Sequence, residues 1–142
     1  MLAFYDDELN PFGSDPLRSF HTSGQQNIWE KLIYIKNSDA GKYYTGLILQ
    51  IVLKRYEDVG EYGTTGWSVK FIYGQRRPTE AEWALIRPGE GLVLPDIGSA
   101  AAADTGTYHP VWIRVVAPFD AQADIRDNQK LRLYFVENLV GA

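Results

Sequence analysis

Three observations predict an all-β fold, an antiparallel β-sandwich with one short helix. Several runs alternate apolar and polar side chains, the segments between them are too short for repeated crossover helices, and a single stretch carries a helix start signal. The chain has 142 residues, 45% of them hydrophobic, and no cysteine. That length suits one domain whose core holds without disulfide staples. The lack of cysteine also excludes a thiolate nucleophile and cysteine-ligated metal.

The first 30 residues read as an extended N-terminal arm, with the sandwich over 31–142. The arm carries Pro11, Gly13, Pro16 and Gly24 and shows no helical or alternating period. Asp6, Asp7, Glu8, Asp15 and Glu30 face only Arg18 there, so the arm holds the whole net charge of −4. Yet Leu2, Phe4, Tyr5, Leu9, Phe12, Leu17 and Phe20 are too apolar for a segment left in water. Fixing backbone costs about 1–2 kcal/mol per residue, so ordering such an arm requires roughly 1,200–2,400 Å² of apolar burial at about 25 cal/mol per Å². A small sandwich has little surface to lend, and these residues are therefore expected to cover a neighbouring molecule.

Alternation begins after the arm. WEKLIYIKN, around Ile33 and Ile35, is a weaker strand, and TGLILQIVLKR places Leu47, Leu49, Ile51 and Leu53 on one face. GWSVKFIYG sends Trp67, Val69, Phe71 and Tyr73 inward between bounding glycines. In RPTEAEWALI, Thr79 can cap a helix and Glu82 can reach back to it, giving at most two turns before Pro88. Trp83 on that helix is expected to plug one end of the sandwich. GLVLPDIG, around Leu92 and Leu94, is a weaker run that Pro95 marks as an edge or strand end. PVWIRVVAP points Val111, Ile113 and Val115 inward and Trp112, Arg114 and Val116 outward, and KLRLYFVEN points Leu131, Leu133 and Phe135 inward. About six strands result.

Chemistry is sparse. His109 near Asp104 or Asp96 would make an acid–base pair, the seed of a small hydrolase, but it reads better as a loop histidine anchoring its turn. No ligand spacing for a metal is visible, no G-x-S-x-G turn surrounds a serine, and no cofactor is implied. GEYGTTG lacks the lysine and following helix of a phosphate loop and reads as a hairpin or long loop. The run Asp6–Asp7–Glu8 lacks the spacing of an EF-hand and reads as a solvated or partner-facing acidic patch. The small-residue loop GSAAAADTGT fits either a close neighbour or a mobile loop. Net acidity argues against gripping nucleic acid, and no apolar run reaches membrane-helix length or resembles a secretory leader, so the chain reads as soluble and unprocessed. Tyr44, Tyr62 and Trp112, read as outward aromatics, would suit either stacking on a sugar, as in a carbohydrate-binding module, or a protein interface.

The combination of YIKNSDAGKYYTGL, GWSVKFIYGQRRPTEAEWALI, LPDIGSAAAADTGTYHPVWIRVVAP and a closing LRLYFVE resembles small β-sandwich virion proteins of tailed bacteriophages, over residues 30–137. Such proteins decorate or cement a capsid or line its neck and tail. The resemblance implies an immunoglobulin-like sandwich in the virion, without enzymatic activity, cofactor or small-molecule substrate. It also implies many copies, with the arm draped over other virion proteins or other copies of the chain. The expected contact residues are the arm's apolar side chains together with Tyr44 and Trp112.

Overall fold

The computed structural model describes residues 1–11, 17–21, 28–53, 68–87, 89–116 and 124–141, with backbone alone at 17–21, 51–53, 68 and 124–130. Its strands are β1 (Leu2–Tyr5), β2 (Leu17–His21), β3 (Ile28–Asn37), β4 (Lys42–Leu53), β5 (Ser68–Tyr73), β6 (Leu92–Val93), β7 (His109–Val116) and β8 (Asp124–Leu139). One helix, α1 (Glu80–Ala84), lies between β5 and β6. Two four-stranded sheets form, ordered β1-β3-β7-β5 and β2-β8-β4-β6, and neighbouring strands run antiparallel. The expected antiparallel β-sandwich is therefore present, and each of the six expected runs contributes a strand.

The core lies between the sheets. Ile33 and Ile35 of β3, Val69 and Phe71 of β5, and Val111, Ile113 and Val115 of β7 meet Leu47 and Leu49 of β4 and Leu131 of β8. Strand alternation puts these side chains on one face of each ribbon, and burying each is worth about 1.5–3 kcal/mol.

Tyr44 joins the core although it is out of phase with Leu47 and Leu49. Thr45 pairs with Val136 and Ile48 with Tyr134, so Gly46 and Leu47 together oppose Phe135 in a β-bulge. Gly46 sits at φ 62°, a left-handed conformation that glycine adopts without steric cost. The extra residue reverses the alternation, and Tyr44 turns inward to full burial. Its reading as an outward interface aromatic is thereby corrected. Its hydroxyl donates to Glu137 Oε1 at 3.0 Å, and burial together with that carboxylate pushes the phenol up to about 12.

The arm is also corrected. β1 pairs with β3, Leu2 opposite Asn37 and Tyr5 opposite Tyr34, while β2 pairs with β8 from His21–Asp124 to Leu17–Gln129. Leu2 and Phe4 pack against the core of their own sandwich. An open sheet edge offers a row of unpaired backbone groups, and four extended residues satisfy it; their alternation is too short to register as a period in the sequence. The acidic run closes a turn, with Asp6 Oδ1 accepting from the Glu8 and Asn10 amides at 2.9 Å each and Leu9 at φ 65°. The sandwich thus recruits segments on both sides of residue 30.

Candidate functional site

The outer face of the first sheet is where polar side chains converge. Cross-strand register there sets Glu30 of β3, Arg114 of β7 and Lys70 of β5 in one row, and Leu32, Trp112 and Ile72 in the next. Arg114 belongs to the outward phase of an apolar run, yet its residue exposure is only 6%. It is covered by the segment following β5.

Local chemistry fixes that cover. Gly74 N donates to Pro110 O at 3.0 Å, Trp112 Nε1 donates to Gln75 O at 3.1 Å, and Gln75 Nε2 donates to Tyr34 OH at 2.8 Å. Thr79 caps α1 as expected: the Glu82 amide donates to Thr79 Oγ1 at 3.2 Å and the Thr79 amide donates to Glu82 Oε1 at 3.0 Å. Those bonds, with Arg76 alongside, hold the Glu82 carboxyl below its usual range. Lys70 Nζ donates to Trp83 O at 3.1 Å near the helix's C-terminal end. Trp83 is buried against Arg114, whose guanidinium carbon stands 5.7 Å from the ring, and it lies outside the inter-sheet core. It covers a sheet face and does not plug the end of the sandwich.

Four charges then interlock. Glu80 receives both terminal nitrogens of Arg114, at 2.9 and 3.0 Å, and Arg77 Nε donates to Glu30 Oε2 at 2.7 Å. Arg114 Nε faces Glu30 Oε1 at 3.5 Å as an ion pair without a hydrogen bond. The Arg114 and Glu30 side chains are 7% and 8% exposed, whereas those of Glu80 and Arg77 are 80% and 70% exposed. Hydrogen bonding to Arg114 lowers the pKa of Glu80, and hydrogen bonding to Glu30 raises that of Arg77. Above this floor opens a cleft of about 420 Å³ lined by Ile28, Glu30, Arg77, Glu80, Trp112 and Arg114. A fixed indole wall beside two guanidinium groups can bind and orient a ligand.

Two other clusters lie elsewhere on the chain. Tyr108 meets Tyr5 and Tyr34 edge-on at 5.5 and 5.9 Å, with Lys36 Nζ 4.6 Å above its ring. His109 Nε2 lies 3.2 Å from Asp104 Oδ2, and its Nδ1 lies 3.4 Å from the Tyr73 hydroxyl. Burial alone would raise the Asp104 carboxyl, but the Thr107 hydrogen bonds and the His109 charge outweigh it and lower the pKa. The structure thus selects Asp104 over Asp96 as the histidine's partner, at the base of the small-residue loop. That loop is tied to its own chain, with Gly141 N donating to Ala100 O at 2.8 Å. Among the described residues, no group of three or more metal-ligating side chains forms, and no helix is long and apolar enough to cross a membrane.

The expected interface residues scatter. Leu2 and Phe4 pack on the core, Tyr5 joins the tyrosine cluster, Leu9 is exposed on its turn, and Trp112 walls the cleft. Leu17 and Phe20 lie in β2 with only their backbone described, and Phe12, Tyr62, Trp67 and the GEYGTTG segment fall outside the described residues. Sequence reasoning missed the charged cleft; its signal was charge set inside two apolar runs, Glu30 beside Lys31 in WEKLIY and Arg114 in VWIRVV. The chain matches no known protein family, and no curated protein matches it as a relative.

Proposed function

We propose that this chain is a non-enzymatic structural protein of a phage virion, a capsid decoration or cement subunit in the preferred version and a neck, tail or baseplate component in the other. The observation that carries the assembly role is the far end of β8, where Tyr134, Phe135, Val136 and Leu139 are all exposed. Residues on both faces of one strand are apolar and open there, and an exposed apolar patch of this kind suits a protein contact. Phe135 has the inward phase and is nevertheless exposed, with Tyr44 meeting its ring edge-on at 5.2 Å. Since β1 spends its apolar face at home, the neighbour-binding surface moves from the arm to this strand end. The virion setting rests on the resemblance in sequence.

The test is co-sedimentation of the purified chain with particles of its source phage, alongside light-scattering mass in solution. Wild type is expected to associate, and Phe135→Asp to lose association while keeping its melting temperature within a few degrees. A chain that stays monomeric and leaves the particles unlabelled overturns the proposal.

A further inference from the structure

We infer that the cleft between β3, β7 and α1 binds a carboxylate carried on an apolar or aromatic group. The chain already demonstrates the mode, because the Glu80 carboxylate sits two-pronged on Arg114 at 2.9 and 3.0 Å. The Glu80 side chain as a whole is 80% exposed, whereas that of Arg114 is 7% exposed. The receptor is therefore fixed and its occupant is exchangeable. Arg77, 70% exposed, uses Nε alone on Glu30, which leaves the terminal nitrogens of its planar fork for a second carboxylate.

The sign of the ligand follows from which charges can move. Glu30 is buried and shared by both arginines, so an entering cation would meet two guanidinium charges and only the Glu80 carboxylate, whose oxygens are already bonded to Arg114. An entering anion would meet Arg77 at the mouth and Arg114 beneath, with Glu80 as the one exposed like charge, free to swing into water. Trp112 and Ile28 supply the apolar wall, and the indole is held in orientation by its bond to Gln75 O. This inference stands independently of the virion reading.

Three probes of one shape decide it: phenylacetate, neutral phenylacetamide and cationic phenethylamine, titrated into the full-length protein while the Trp112 indole N–H is followed by NMR, with Trp112→Phe assigning the signal. Phenylacetate is expected to give a saturable shift and the other two none. Arg77→Gln should weaken it by about tenfold, the loss of one charge-assisted pair. Glu80→Gln should tighten it, because the competitor has lost its charge; a merely structural Glu80 would not. No saturable shift with phenylacetate, or an equal one with the amide, overturns the inference. A blocked acetyl-Phe-Glu-Phe-amide peptide tells the sources apart: tighter binding than phenylacetate assigns the site to an acidic side chain of a partner protein, weaker binding to a free small carboxylate.

Discussion

Ile113 and Arg114 are consecutive on β7 and both are buried, the first completely and the second to 6% exposure, yet different physics buries them. Ile113 faces the opposite sheet, where removing apolar area from water is favourable without any particular geometry. Arg114 faces outward and is buried only because α1 covers it, and its charge is tolerated only because Glu30 and Glu80 meet it. One face is stabilised by area, the other by a set of partners. Loss of area is graded, whereas loss of a partner leaves a charge stranded.

Mutations sharpen the contrast. Phe71→Ala, on the inner face, should cost about 3–5 kcal/mol in chemical denaturation through the cavity it leaves. Arg114→Ala should cost about 3 kcal/mol by stranding the buried Glu30 carboxylate with Arg77 alone. If the partner account is right, adding Glu30→Leu to Arg114→Met recovers much of the loss, and a double-mutant cycle measures the coupling. Strict additivity would place both faces under the same rule. Thr79→Ala, which removes the helix cap, should cost about 1 kcal/mol and loosen the cover without touching the core.

The smallest effect is electrostatic and separates the faces by pH. Hydrogen bonding to Arg114 holds the Glu80 carboxyl below its usual 4.5, so its contribution to stability is present above that value and is lost as pH falls through the folded one. Unfolding curves of wild type and Glu80→Gln should therefore converge on acidification below about 4.5, while the Phe71→Ala difference stays constant.

How much could be read in advance depended on the range of the signal. Val69–Phe71 and Val111–Ile113–Val115 announced their inward face by simple alternation, and Thr79 with Glu82 announced the helix start, because both patterns are local. Tyr44 was misplaced because a glycine bulge two residues on reversed the phase, and a bulge is defined only against the partner strand. The pairing of His109 with Asp104 was visible as one of two choices, and the loop geometry made the choice.

By itself the sequence determined the sandwich, the inward residues of its principal strands and the capped helix, since periodicity and capping depend on residues within one or two turns of chain. Only the tertiary structure decided that β1 and β2 complete the two sheets and that Trp83 covers a sheet face. It also brought Glu30, Arg77, Glu80 and Arg114, from three separated stretches, to the floor of one cleft. Edges, covers and charge clusters are properties of which strands become neighbours, and that follows from the joint burial of the whole core.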